Sequence, residues 1–120
     1  MKKILFAFFA VALVSGCETQ FQKEVSAASS ETTIELAEGK YIGNFRNGCG
    51  KLSLGAKNQY TWDEACNGSI EFKADDFPIN GRVMRIGAAV FLINEASTDE
   101  INGIWQFRGD PFPMSFKRDG

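Results

Sequence analysis

Two pairs of neighbouring carboxylates are the side chains best suited by type to acid–base chemistry: Asp75-Asp76 and Asp99-Glu100. Two carboxyl groups held roughly 5–9 Å apart can hydrolyse a glycosidic bond. Both pairs, however, lie in stretches typical of turns, where Asp stabilises the chain through local hydrogen bonds. We therefore favour a structural role for both. Asp75-Asp76 also lacks the alternating oxygen ligands of a calcium loop.

The complete absence of histidine narrows the chemistry further. It excludes the commonest general base, nucleophile–histidine pairs and histidine metal sites. Ser–Lys, carboxylate and tyrosine chemistry remain open, but no nucleophile–base pair is recognisable. We therefore predict a protein that is not an enzyme and that needs neither a metal nor a cofactor.

The first seventeen residues have the order of a secretory signal. Two lysines precede the apolar run Ile4–Val14, and small residues follow it. The run is about half of the roughly twenty residues needed to span a bilayer. Val14–Cys17 resembles the lipobox of bacterial lipoproteins, which implies cleavage after Gly16 and acyl chains on Cys17. The alternative is an ordinary cleaved signal with an incidental cysteine.

The same resemblance and the charge balance bear on location and partners. Lipoproteins retained in the inner membrane usually carry Asp after the lipidated cysteine, whereas this chain has Glu18. In a bacterium with two membranes, we expect the outer membrane, facing the periplasm. The net charge is −2, and loss of Lys2 and Lys3 makes it more acidic. We therefore predict no nucleic-acid partner, and membrane association through the acyl chains on Cys17.

The cysteine count predicts one disulfide. Of three cysteines, lipidation removes Cys17 and leaves Cys49 and Cys66. In an exported domain an even remainder indicates a disulfide. The alternative is a pair of buried free thiols, which an oxidising compartment disfavours.

Apolar side chains alternate with polar ones over most of the chain beyond Gly39, as in half-buried strands. Turn signals such as Asn47-Gly48 and Asn67-Gly68 separate these stretches. We predict eight strands, at about 40–46, 50–55, 59–66, 69–73, 77–86, 89–95, 100–108 and 112–118.

Short sequential strands favour an all-β fold, a small up-and-down antiparallel β-barrel with one disulfide. We assign residues 1–16 to the signal peptide and 38–120 to the barrel. Residues 17–37 would be the lipidated cysteine and a flexible tether, because this polar segment has too little apolar surface to offset its ordering entropy. Phe21 and Val25 lie four residues apart, but we do not predict a helix there. Such a tether would let the barrel work at some distance from the bilayer.

Strand register places the disulfide. If Leu52 and Leu54 face Trp62 and Tyr60 across a hairpin, Cys49 opposes Ala65 rather than Cys66. One extra residue would correct this mismatch. We therefore predict a β-bulge at Cys49-Gly50 and a bridge between the second and third strands.

Large aromatic side chains are numerous for so small a domain, and they favour either a core or an aromatic cup for an apolar ligand. We favour the core. The set comprises Trp62, Trp105, Phe107, Phe112 and Phe116.

The best candidate for an exposed contact rim is Asp110, Pro111, Phe112 and Pro113, because two prolines cannot donate ladder hydrogen bonds. Arg82 and Arg85, with Arg46 or Arg108, would form an anion-binding patch, but we favour a solvated strand face.

The final segment carries a second resemblance. Ile101–Trp105 followed by Pro113–Arg118 resembles the closing hairpin of small bacterial lipocalin-like β domains. The resemblance implies a barrel and assigns no site.

We predict a lipid-anchored cell-envelope protein whose barrel is a non-catalytic binding module for an unknown protein or a small apolar ligand. The alternative is an envelope-protecting inhibitor of a protease or lysozyme. An open apolar cavity would favour the ligand, and an exposed rigid loop would favour inhibition.

Overall fold

A computed structural model describes residues 19–45 and 48–119. The predicted signal peptide, Cys17, Arg46 and Asn47 lie outside these residues. Within the described part, the chain forms one α-helix, a short 3₁₀ turn at Ala56–Asn58 and eight strands. The elements are α1 (Gln20–Ser29), β1 (Gly39–Phe45), β2 (Gly48–Leu54), β3 (Tyr60–Asp63), β4 (Phe72–Lys73), β5 (Val83–Ile86), β6 (Ala89–Ala96), β7 (Glu100–Gln106) and β8 (Phe112–Arg118).

The eight strands form one antiparallel sheet in the order β4-β3-β2-β1-β8-β7-β6-β5. Strands that follow one another in the chain are neighbours in the sheet, except β4 and β5. The pairing of β1 with β8 joins the two halves, for example at Gly43 and Phe116. The sheet is therefore a nearly closed up-and-down barrel, which confirms the predicted fold class, and its break lies between β4 and β5.

Five predicted strands agree with the structure to within two residues at each described end, but three are too long. The predictions 59–66, 69–73 and 77–86 correspond to β3, β4 and β5, which hold only four, two and four residues. β3 stops at Asp63 because its side chain accepts hydrogen bonds from the backbone of the following loop. The segment before β5 turns at Gly81, whose φ is +59°.

The barrel interior is filled by the inward-facing side chains of the strands. Among the largest fully buried ones are Tyr41, Leu52, Trp62, Phe91 and Phe116. The ring of Phe116 lies edge-on to Trp62 at 5.8 Å between centroids and to Phe91 at 5.1 Å. Of the five aromatic residues singled out in the sequence, Trp62, Trp105 and Phe116 are core residues, whereas Phe107 and Phe112 are exposed.

The prediction of a flexible tether is wrong for residues 20–29, which form α1. Thr19 caps the helix, accepting a hydrogen bond from the Gln22 backbone while the Gln22 side chain accepts one from Thr19. Phe21, Val25 and Ala28 form a buried stripe along one side. They pack on an apolar patch on the outer side of the barrel. Burial of these three side chains stabilises the helix. The polar composition of the segment did not indicate this contribution.

Residues 30–38 are also fixed to the barrel by hydrogen bonds. The backbone N–H of Gly81 donates to Thr33 Oγ1 at 3.1 Å, and that of Ile34 donates to the Gly81 carbonyl at 2.9 Å. The Asn58 side chain accepts from the Leu36 N–H and donates to the Ile34 carbonyl. These contacts tie the chain between α1 and β1 to the barrel.

The predicted register and the Cys49–Cys66 pairing are confirmed, but the predicted bulge is wrong, and the bridge joins β2 to the loop after β3 rather than to the third strand itself. Leu52 pairs with Trp62 and Leu54 with Tyr60, and Cys49 is bonded to Cys66 with 5.9 Å between their Cα atoms. The β1–β2 pairing continues through Cys49 without a bulge. Cys66 instead lies in a loop with a φ of +54°, so strand parity does not fix the direction of its side chain. A register shift occurs elsewhere, between β6 and β7 at Ile93–Glu95.

Candidate functional site

A cavity of about 470 Å³ opens at one end of the barrel. The last residues of β1, β3, β5 and β7 and the first residues of β2, β4, β6 and β8 all lie at this end, which we call the open end. The described residues that line the cavity are mostly apolar. They are Phe45, Gly48, Cys49, Trp62, Glu64, Phe72, Ile86, Ala88, Ala89, Trp105 and Phe107.

Aromatic rings form the walls of this cavity. Trp62 and Trp105 are the two tryptophans of the sequence, and their ring centroids lie 5.5 Å apart. Phe45 stands edge-on to Trp105 at 4.8 Å and to Trp62 at 6.2 Å. Gly50 faces the Trp62 indole so closely that a Cβ would overlap it. The glycine therefore lets the indole lie against β2 beside the cavity.

The lip of the cavity is built from strand ends and turns. Phe107 directly follows β7 and is half-exposed, with the Arg108 guanidinium 5.0 Å from its ring centroid. Phe72 lies against Gly87 in the β5–β6 turn, across the break between β4 and β5. The Cys49–Cys66 bond joins β2 to the loop over residues 64–71, so it holds one side of the mouth.

Asp63 organises this loop. Its side chain accepts hydrogen bonds from the backbone N–H groups of Ala65 at 3.2 Å, Asn67 at 3.2 Å and Gly68 at 2.7 Å. Burial pushes the pKa of the Asp63 carboxyl upward, but these hydrogen bonds to the ionised form outweigh that effect. The pKa therefore lies below its usual value, and the loop is built around a carboxylate.

The predicted contact rim lies at the same end of the barrel. Asp110, Pro111, Phe112 and Pro113 border a surface recess next to the cavity, and they share it with Trp105 and Phe107. Phe112 is exposed, while its backbone pairs with Trp105 across the β7–β8 hairpin. The Gln106 amide donates to the Gly109 carbonyl at 2.8 Å and so fixes the turn. That this rim acts as a contact surface stays a prediction.

The carboxylate pairs lie away from the cavity, at the other end of the barrel. Asp75-Asp76 follows β4 in a turn, where the Asp76 N–H donates to the Lys73 carbonyl. In the β6–β7 turn, the N–H groups of Asp99 and Glu100 donate to Ser97 Oγ. Within residues 19–45 and 48–119, no three His, Cys, Asp or Glu side chains are grouped as metal ligands.

The arginines are not gathered into one patch. Arg82 donates to both carboxylate oxygens of Glu31, at 3.0 and 3.1 Å, and so ties the end of α1 to the barrel. This hydrogen bonding is the main reason that the pKa of Glu31 is lowered. Arg85 is exposed beside α1, and Arg108 lies over Phe107 at the open end. Arg46 lies outside the described residues.

The end opposite the cavity is covered by Arg118. Its guanidinium donates to the carbonyls of Thr98 and Glu38 and lies over the Tyr41 ring at 5.2 Å. The Tyr41 hydroxyl in turn donates to the Ala37 carbonyl. The barrel is therefore asymmetric, with a polar network at one end and an apolar cavity at the other.

Sequence reasoning missed Phe45 and Phe72 as cavity residues. Each lies at the end of a strand, on the apolar side of the alternation. That position was their only sequence signal. The resemblance to lipocalin-like domains stays a prediction, although β7 and β8 do form the expected hairpin.

Comparison with known proteins concerns the start of the chain. Residues 1–17 match the family model for the prokaryotic membrane lipoprotein lipid attachment site. Searches of curated proteins and of solved structures found no significant match to this chain. In the described part of the chain, no helix has the length and apolar character needed to cross a membrane. The chain thus carries a bacterial lipoprotein signal, and the protein is anchored in the cell envelope by lipid on Cys17.

Proposed function

We propose that the barrel is a non-catalytic module that binds a small apolar ligand at its open end. The observation that carries this proposal is the cavity of about 470 Å³ walled by Trp62, Trp105 and Phe45. Ligand sites are commonly apolar clefts of roughly 300–1,000 Å³ with a few polar groups. Burial of an apolar molecule against these rings supplies the driving force.

The lining of the cavity supports binding rather than catalysis. Among its described residues, Glu64 is the one with a titratable side chain, because Cys49 is in a disulfide. General acid–base catalysis needs titratable groups placed within hydrogen-bond reach of the substrate. The chain also has no histidine to serve as one.

The direct test is titration with N-phenyl-1-naphthylamine, a dye whose emission rises in apolar surroundings. We would use residues 18–120 with the disulfide oxidised and without lipid, so that acyl chains do not compete. We expect saturable binding at one site per chain, with energy transfer from Trp62 and Trp105. Binding should also raise the melting temperature, because the dye binds the folded state.

A matched pair of variants locates the binding. Ala88 is exposed at the cavity mouth, and Ala56 is exposed in the turn at the opposite end. Ala88→Trp places an indole across the mouth and should weaken dye binding by about tenfold through lost access and area. Ala56→Trp should leave the affinity unchanged. Unsaturable binding, or equal affinities in the two variants, would contradict the proposal.

A second function is favoured by one observation. Phe112 is exposed between two prolines, so the rim presents a large side chain on a stiff backbone. Such a rim would suit an inhibitor that plugs the active site of a protease or lysozyme and so protects the envelope. If this is its role, the oxidised protein will inhibit a secreted hydrolase, and Phe112→Ala will remove the inhibition while dye binding remains.

Glu18 bears on the membrane that holds the protein. In a bacterium with two membranes, this residue supports attachment to the outer membrane, with the barrel in the periplasm. Membrane fractionation of the wild type and of Glu18→Asp tests this. We expect the wild type in the outer membrane and the variant shifted towards the inner membrane.

A further inference from the structure

The exposed large apolar side chains are concentrated at the open end. Among the described residues they are Ile70, Phe107 and Phe112, which are 49%, 45% and 40% exposed. Ile70 lies in the β3–β4 connection, Phe107 directly follows β7, and Phe112 begins β8. All three therefore lie at the open end, where Phe107 lines the cavity itself and Phe112 borders the neighbouring recess. Exposed apolar side chains gathered at one end of a molecule mark an interaction surface.

The direction of α1 places its start at the same end. Phe21 and Gln22, in the first turn, lie beside Arg85 and Gln106, close to the β5–β6 and β7–β8 turns. At the other end of the helix, the Ala28 carbonyl accepts a hydrogen bond from the Arg82 N–H, at the start of β5. The helix thus runs down the outer side of the barrel from the open end.

The chain that comes from the lipidated Cys17 therefore enters the described structure at the open end. Cys17 precedes the helix cap Thr19 by two residues, and two residues reach at most about 7 Å. The helix itself cannot swing outward freely, because Val25 and Ala28 are buried against the barrel and Glu31 is paired with Arg82. A short connection and a docked helix together fix which end of the barrel lies nearest the bilayer.

We propose that the open end is a membrane-contacting surface and that its partner is the bilayer in which Cys17 is anchored. Ile70, Phe107 and Phe112 enter the interfacial region, and the cavity mouth opens towards the acyl chains. The nearby charges are of both signs, Arg108 with Glu64 and Asp110. The contact is therefore apolar and needs neither anionic lipid nor low salt. It places the cavity where an apolar ligand can enter from the lipid phase.

The test uses the full acylated lipoprotein in phosphatidylcholine vesicles that contain brominated acyl chains, which quench nearby indoles. Phe112→Trp places a reporter at the open end, and Gln59→Trp places one at an exposed position at the opposite end. The emission of wild-type Trp62 and Trp105 is subtracted. Since interfacial side chains enter only ~5–10 Å, we expect quenching of F112W to exceed that of Q59W about twofold or more. The ratio should persist at high salt.

Ile70→Trp is a second reporter at the open end, in case F112W does not fold. Equal quenching at the two ends, or stronger quenching of Q59W, would overturn the proposed orientation. This inference goes beyond the proposed binding function and does not rest on it. Dye titration of the lipid-free chain measures the cavity alone, so either proposal can fail while the other stands.

Discussion

Asp63 shows how one side chain shapes the mouth of the cavity. Its hydrogen bonds stabilise the folded state only while the carboxyl is ionised. Because its folded pKa is lowered, this contribution is present above the unfolded pKa of about 4 and is lost as the pH falls from there towards the folded pKa. Asp63→Asn should therefore lower the stability at neutral pH and flatten its decline in acid. Urea unfolding at several pH values measures this.

The matched control is Glu64→Gln, which neutralises the exposed neighbouring carboxylate. It should keep the acid profile of the wild type. If D63N and wild type lose stability in parallel on acidification, the loop does not depend on this carboxylate.

Tyr60 has the opposite pH dependence. Burial, with a smaller effect from the Asp76 charge, raises its pKa to about 12, and its hydroxyl donates to the Phe77 carbonyl in the β4–β5 connection. The neutral form is favoured on folding, so stability is full below the unfolded pKa of about 10 and falls as the pH rises towards the folded value. Tyr60→Phe should cost about 1 kcal/mol at neutral pH through the lost hydrogen bond. Its stability should then fall less than that of the wild type in alkali.

Denaturant unfolding of both proteins between about pH 8 and pH 11 measures this difference. The other alkaline groups are common to the two proteins, so their difference isolates Tyr60. Identical alkaline profiles would show that the hydroxyl is ionised as easily in the folded chain as in the unfolded one.

Among the elements, α1 depends on a contact that only glycine permits. Gly81 has a φ of +59°, and a Cβ there would overlap the Ala28 carbonyl at the end of the helix. Gly81→Ala should therefore cost about 1–3 kcal/mol and loosen α1. In this variant, hydrogen exchange in residues 20–29 should become faster than in the wild type, and it should change less in the strands. Gly55→Ala is the control, because Gly55 has an ordinary φ and room for a methyl group, and it should leave exchange in α1 unchanged.

The same helix shows what the sequence could and could not predict. Strands such as β7 were predictable because one face is buried, which imposes period-two alternation on residues such as Ile101 and Trp105. α1 was not, since its stripe of Phe21, Val25 and Ala28 is sparse. Its stability comes from Val83 and Leu92, more than fifty residues away. Local pattern carries no information on such a distant partner.

The candidate site was predictable only in its parts. The disulfide followed from the cysteine count, and Trp62 and Trp105 were recognised as inward-facing. Alternation assigns a side chain to a face of the sheet but does not say which end of the barrel stays unfilled. That depends on packing across all the strands. Phe45, for example, reaches both tryptophans from β1.

At the scale of the whole molecule, the disulfide couples stability to the cavity mouth. It closes a loop with a sequence separation of 17, and such a loop contributes on the order of 3 kcal/mol by restricting the unfolded chain. Cys49→Ala/Cys66→Ala should lose about that much in urea unfolding. It should also weaken dye binding, because Gly48 and Glu64 line the cavity beside the bridge. If the double variant loses stability but keeps its dye affinity, the disulfide stabilises the fold without shaping the binding site.

The orientation of the barrel depends on the short connection between Cys17 and α1. A twelve-residue Gly/Ser insertion between Glu18 and Thr19 lengthens this link to about 20 Å on average and frees the barrel to turn. The local concentration of the open end at the bilayer then falls. In F112W, the excess quenching over Q59W should therefore decrease, while folding and dye binding stay as they were. Both reporters should be measured with the same insertion. An excess that persists at full size would mean that Ile70, Phe107 and Phe112 hold the open end on the bilayer without help from the short link.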